Sequence, residues 1–475
     1  MRSILGKLFR RNTLATPAPE PIDALCREAA GAAAARDFPR AIALYDEAIA
    51  LDPSHAEARY KRGNAQRSLG QLDAAIASYE QAIALDPGYA HAYCNRGVVQ
   101  QALGLAAAAL SSYDRAIALD PADAMAHYNR ALLMQDGGRC DEALASYDEA
   151  VAIDPAFADA QYNRSLALLF LGDFANGWRA YEWRWKNAQR LAIGERRKFT
   201  QPLWLGDESV AGKRLLLHSE GGLGDTLQFC RYATLSAALG ATVLLEVQPE
   251  LLSVLANLDG VSGLFAKGST LPSFDYQCPM MSLPLAFRTT LGTIPTAPKY
   301  LHGDNAKIDV WRALLGKRSR PRIGLAWSGN PNNPIDQRRS VRLADWVAHL
   351  PPEFHYFQLQ KHLRAADKTA LDANPFIISF DPFDDELWDF DNTAALCLCM
   401  DLVITVDTSM AHLSGALGQR TWVLLPVNPD WRWLQDRGDS PWYPTMKLYR
   451  QRTAGDWNDV FARVAADLRR QFPVA

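Results

Sequence analysis

The chain has 475 residues, 48% hydrophobic and 22% charged, the balance of a soluble globular protein long enough for roughly three domains. A net charge of −3 excludes an overall electrostatic draw toward nucleic acid or an acidic membrane. The seven cysteines are scattered, odd in number and without a CxxC pair, which argues against a zinc site or a disulfide framework and suits a reducing, cytoplasmic setting.

In chain order, the basic start MRSILGKLFRR has an apolar core too short for a secretory signal. No run approaches transmembrane length, so no integral membrane contact is expected. Residues 1–21 read as a flexible leader. The next stretch repeats. LDP, LDP, LDP and IDP start at Leu51, Leu85, Leu119 and Ile153, a 34-residue period. Ala41, Ala75, Ala109 and Ala143 are each followed by Tyr45, Tyr79, Tyr113 or Tyr147, and then by Ala48, Ala82, Ala116 or Ala150. Small residues let antiparallel helices approach, and the tyrosine fills the gap between repeats. A proline after each second helix ends it.

This period and pattern resemble the tetratricopeptide repeat family, which implies an α solenoid over residues 22–189 that binds a protein or peptide in its groove. Asn95, Asn129 and Asn163 share one position of successive first helices. They resemble the asparagine ladder of O-linked N-acetylglucosamine transferases, because an amide can pair with a peptide backbone without reading its side chains. They fit equally a solvated helix surface. Arg96, Arg130 and Arg164 follow them, so an acidic partner stripe is a further reading. A fifth unit departs from the pattern, with Gly177 for alanine and the ending GWRAYEWRW, as a terminal repeat docked on something else would. Residues 190–210 read as a connector in which Leu203 and Trp204, with Trp183 and Trp185 before them, pin the array to the next domain.

Arg214–His218, SEGGLGD, a helix over 226–238 and Thr242–Val247 make a strand–glycine turn–helix–strand opening; residues 211–303 form a first α/β half. Gly222 and Gly224 begin a GxGxxG with Glu246 downstream, but Leu227 stands at its third glycine and Asp225 faces the pyrophosphate position. A carboxylate there opposes NAD or FAD. Asp225 suits a general base toward a hydroxyl, or a helix cap.

Residues 304–475 form a second half. Helix 304–316 precedes the strand RIGLAW and the basic loop SGNPNNPIDQRRS, whose Ser328 and Arg339 fall at a carboxyl edge with Gln360 after the next strand. Arginines there can grip phosphate or merely be solvated. Asp389-Phe390-Asp391 matches a metal-binding DxD, but Asp391 reads better as the cap of the following helix, so no metal is expected. DLVITVDTSMAHLSGALG, 401–418, reads as a buried strand, a polar turn and a helix that Gly418 stops. Free N–H groups of that helix's first turn suit an anion, with Asp407, Thr408, Ser409 and Met410 around them and His412 adding a hydrogen bond or a charge. An ordinary capped helix fits the same residues. Trp431, Trp433, Trp442 and Tyr443 crowd a later loop, placed to stack on a ligand or to pack between domains.

GLGDTLQF, 222–229, and DLVITVDTSMAHLSGALG, supported by RIGLAWSGN, are similar to motifs of the heptosyltransferases, glycosyltransferase family 9. The resemblance implies GT-B-type double Rossmann-like domains and inverting, metal-independent sugar transfer from a nucleotide-sugar, with no cofactor. Asp225 would be the catalytic base; Gly222, Gly224 and Gln228 would lie on the acceptor side. Asp407, Thr408, Ser409, Met410, His412, Ser328, Arg339 and Gln360 would hold the donor. The array would present a protein acceptor. The alternative is a non-catalytic scaffold with a degenerate transferase domain.

Overall fold

The computed structural model describes residues 19–187, 197–333, 336–380 and 389–473; most of the leader and residues 188–196 of the array end and connector lie outside them. The chain divides into two compact units, Met1–Phe157 and Ala158–Ala475.

The first unit is a run of helical hairpins: α1 (Pro19–Ala34) with α2 (Phe38–Leu51), α3 (Ala56–Ser68) with α4 (Leu72–Leu85), α5 (Ala90–Ala102) with α6 (Ala106–Leu119), and α7 (Ala124–Asp136) with α8 (Cys140–Ile153). Each helix packs on the next, and α1, α3, α5 and α7 also touch in succession as an inner row. The repeated tyrosine works mainly inside its own hairpin. A Cβ on Gly97 would lie 2.6 Å from the Tyr113 ring, and the Tyr113 hydroxyl donates to Gln101 at 2.9 Å. The aspartate of each LDP has its own task. Its Oδ1 accepts the N–H two residues on, as in Asp52 to Ser54, Asp86 to Gly88, Asp120 to Ala122 and Asp154 to Ala156, a turn that carries the chain past the proline.

The second unit opens with a fifth hairpin, α9 (Ala158–Leu171) and α10 (Phe174–Tyr181), and a 3₁₀ turn Glu182–Trp185. Gly177 is demanded by its partner helix, since a Cβ there would meet Leu169 at 2.7 Å. Two parallel sheets come after it. β1 (Arg214–His218), β2 (Thr242–Val247), β3 (Val261–Ala266) and β4 (Tyr276–Pro279) order as β3-β2-β1-β4. The second sheet contains β5 (Arg322–Ala326), β6 (His355–Gln358), β7 (Ile377–Ile378), β8 (Leu402–Val406), β9 (Thr421–Leu425) and β10 (Met446–Arg450), ordered β10-β9-β8-β5-β6-β7. β5, β8 and β9 are buried throughout, which explains their largely apolar sequences. Strand order reverses beside β1 in one sheet and between β5 and β8 in the other, the crevices where open α/β sheets take ligands.

Three expectations change. The helix over 226–238 is two, Leu223–Phe229 and Tyr232–Ala238, divided where Arg231 turns its side chain back to the Gln228 carbonyl. β10 was not assigned from the sequence; it pairs with β9 along its whole length. Of the two connector pins expected, Leu203 is exposed, while Trp204 is buried against Phe287, with its backbone N–H bonded to the Gln277 carbonyl of β4.

Candidate functional site

β1 ends at His218, and Ser219–Gly222 turn the chain into helix Leu223–Phe229. Gly221 takes φ +71°, a left-handed value that favours glycine. Asp225 sits in the helix's first turn, where its Oδ2 accepts the Gly222 N–H at 2.7 Å. That backbone donor is one a pyrophosphate would use, so the turn is unlike a dinucleotide cradle. Glu246, placed for a ribose, is buried and bonded to Arg197 and to the Gly268 N–H.

β8 ends at Val406, and helix Ser409–Ala416 follows with Thr408 at its cap position but making no side-chain cap bond. The first turns of these two helices abut. A Cβ on Gly224 would fall 2.8 Å from His412 Cδ2 and 3.6 Å from Ser409 Cα, so only glycine admits this approach. Asp225, His412 and Ser409 thus come to one place from two sheets. The Ala411 N–H is bonded to the Thr408 carbonyl at 3.0 Å, which narrows the expected anion donors to Ser409 and Met410.

His412 is buried, and its Nδ1 lies 2.9 Å from the Tyr443 hydroxyl; Trp433 stacks on the ring. Burial holds it well below the ordinary histidine range, and Arg432, Arg231 and Arg339 push the same way. The expected positive charge is therefore absent, and a neutral ring accepting at Nδ1 presents an N–H at Nε2. Burial and the neighbouring Asp430 raise Asp407 to about 6, against the pull of Arg339.

Two arginines bring charge. Arg339 ion-pairs with Asp336 at 3.4 Å and acts electrostatically on both Asp407 and His412. Arg432 was missed in the sequence. It donates to Asp225, to Gln228 at 2.5 Å and to Asp430 at 2.8 Å. Burial opposes its charge, yet Asp430 and Asp225 hold it protonated above the ordinary arginine range. A lone arginine between two tryptophans was the available signal. The aromatics around it, Trp431, Trp433, Trp442 and Tyr443, are buried; they pack and do not offer open faces to a sugar.

Gln228 keeps its Nε2 buried without a partner, as does the Ser328 hydroxyl. Gln360, expected on the donor, is a brace: its Oε1 accepts the Trp327 and Ser328 N–H groups, and its amide donates to the His362 carbonyl. In the DxD, Asp389 caps the helix through the Asn392 N–H at 2.5 Å, correcting the assignment to Asp391. Lys307 lies 2.9 Å from Asp389 and 3.3 Å from Asp391.

The asparagines are half-buried on their helices. Asn95 donates to Tyr60 and Asn64 of the preceding hairpin, both at 2.9 Å, and Asn129 to Cys94 at 3.7 Å. They knit repeats together, which a reading as solvated or open positions did not foresee. Asn163 lies on α9 in the second unit. The arginines after them are engaged too: Arg96 and Arg130 donate to Ser112 and Ser146, each at 3.1 Å.

The chain matches the TPR repeat model over residues 37–67, 63–104 and 136–172 and the tetratricopeptide repeat model over 90–123. Its N-terminal part is a tetratricopeptide array, a protein-interaction scaffold. It is similar to Protein FlbA of Caulobacter vibrioides, 27% identical over 336 residues, 64% of this chain and 53% of that protein. The chain thus spans about half the length of that curated relative. Among solved structures it is similar to MamA, 26% identical over 35% of this chain and 96% of that one, TM-score 0.31. It is also similar to YrrB, described as a TPR protein with an unusual peptide-binding site, 24% identical over 36% and 91%, TM-score 0.30. Among the described residues no helix is long and apolar enough to cross a membrane.

Proposed function

We propose that this protein is a GT-B-type glycosyltransferase that moves a sugar from a nucleotide-sugar to an acceptor hydroxyl, on a protein presented by the tetratricopeptide array. The observation that carries this reading is the abutment of two helix N-termini, at the reversal points of two parallel sheets, with a carboxylate on one and free amides on the other. Asp225, 23% exposed, takes the proton of the acceptor hydroxyl as its oxygen attacks the anomeric carbon. The bond to the nucleoside diphosphate breaks on the opposite face, which inverts the centre. The departing negative charge meets the Ser409 and Met410 N–H groups, the neutral His412 N–H and Arg339. Ser328, with its unpartnered hydroxyl, supplies one more donor at the adjacent strand end.

The second reading, a non-catalytic scaffold, is favoured by one fact: both Asp225 oxygens already have partners. A panel of nucleotide-sugars offered to the full chain separates the two. The transferase reading expects one donor to raise the melting temperature and release free nucleoside diphosphate, with Asp225→Ala keeping the shift and losing the release. Release that survives in Asp225→Ala contradicts the base assignment, and no shift with any donor favours the scaffold.

A further inference from the structure

Arg432 stands where the two halves meet. Its Nη2 donates to Asp225 and its Nε to Gln228, both from the first half, while Nη1 and its own backbone N–H go to Asp430. The guanidinium lies over the Trp431 ring, 4.3 Å from its centroid, with Phe229 at 5.7 Å. Only 8% of its side chain is exposed, against 23% for Asp225. Trp433, next to it in the chain, stacks on His412, and the charge of Arg432 is felt by Asp407 and His412, beside the turn proposed to receive the diphosphate.

Each Asp225 oxygen already accepts a hydrogen bond, one from Arg432 and the other from the Gly222 N–H, and an acceptor hydroxyl must compete with these donors for the carboxylate. The same guanidinium fork that grips a carboxylate grips a phosphate equally well. We propose that Arg432 is a shared clamp, holding Asp225 when the site is empty and passing to the diphosphate when a nucleotide-sugar enters, so that the base is released only in the loaded protein. This rests on the nucleotide-sugar reading above. Asp430 stays on the other edge of the fork and keeps the arginine in place during the exchange; Trp431 supports its plane. The empty protein then keeps Asp225 paired with Arg432.

Exchange of one cation between two anions is a linkage and is reciprocal. Diphosphate and the Asp225 carboxylate compete for Arg432, so removing the carboxylate's charge must strengthen diphosphate binding. The side chains of Asp407, Asp430 and Arg339 are all kept in that substitution, and a background without Arg432 reports how much of any gain is general electrostatics.

The test is titration calorimetry of the full chain with UDP, GDP, ADP and CDP, for the wild type, Asp225→Asn, Arg432→Gln and the double variant. The clamp predicts that Asp225→Asn binds the preferred diphosphate about tenfold more tightly, that Arg432→Gln binds it more weakly, and that the tightening vanishes in the double variant. Asp225→Asn binding no more tightly, or tightening equally in both backgrounds, overturns the clamp and leaves the transferase reading standing. A wild type that binds none of the four overturns both.

Discussion

The first four hairpins and the fifth descend from one sequence pattern and bury different things. In the first four the repeated alanines and tyrosines close on their own hairpin and its neighbours, with Tyr79, Tyr113 and Tyr147 fully buried and hydrogen-bonded within the hairpin. The fifth keeps Tyr181, but adds Trp178, which packs among Phe174, Phe229, Trp431 and Trp442 and donates to the Thr289 carbonyl at 3.1 Å. Just beyond it, the buried Arg184 pairs with Glu220 at 2.8 Å and Glu182 at 2.6 Å and donates to Ser282 at 2.6 Å. Glu220 also accepts the Met281 N–H at 3.1 Å, joining the turns after β1 and β4. The serine that meets an arginine in three earlier hairpins, Ser78 with Arg62, Ser112 with Arg96 and Ser146 with Arg130, is Ala180 here. Where a repeat departs from its consensus, it has been recruited to another core. The fifth hairpin belongs physically to the α/β unit.

That contrast can be broken from either side. Trp178→Ala opens a cavity at the centre of the aromatic cluster and should cost the second unit about 3–5 kcal/mol. All thirteen tryptophans lie from Trp178 onward, so tryptophan fluorescence reports that unit alone. An unchanged unfolding midpoint by fluorescence would make the fifth hairpin an ordinary repeat.

A smaller effect separates a site residue from a packing residue. Asp407 is raised from 3.8 to about 6 by burial and Asp430, so the folded protein binds this proton more tightly than the unfolded chain does. Its stabilising contribution is present below the unfolded value and is lost as pH rises through about 6. Asp407→Asn should therefore stabilise the second unit by up to roughly 3 kcal/mol at pH 8 and by little at pH 4. Equal effects at both pH values would mean that the carboxylate does not feel its surroundings in this way.

The smallest effect belongs to the array. Tyr113→Phe removes only the hydroxyl that meets Gln101 and leaves the ring over Gly97. A loss of about 1 kcal/mol is expected, seen by far-ultraviolet circular dichroism and silent in tryptophan fluorescence. A larger loss would mean that this hydroxyl holds more than one pair of helices.

The array was legible because its signals are local and repeat: period, small residues and tyrosine all lie within one hairpin. The LDP aspartate escaped notice because its role, an Asx turn, is a backbone matter that the proline obscured. In the α/β unit, strands such as β1, β2 and β8 were readable from apolar runs, and the turns at Gly222 and Asp407 from capping residues. Arg432 showed in the sequence only as a lone arginine between two tryptophans. Its meaning depends on Asp225, 207 residues away, and no local pattern brings the two together. Gln360 failed for a related reason: its position after a strand suggested a ligand, while its amide serves the neighbouring backbone. His412 lies in the helix that the sequence showed, but burial, which the sequence does not display, removes its charge.

The central claim is that one ligand lies against both helix N-termini. Hydrogen–deuterium exchange of the full chain, with and without the nucleoside diphosphate it binds, tests this directly. The account predicts slower exchange in two segments together, residues 219–229 and 406–413, one from each sheet. Slowing confined to one of them, or to neither, would contradict it.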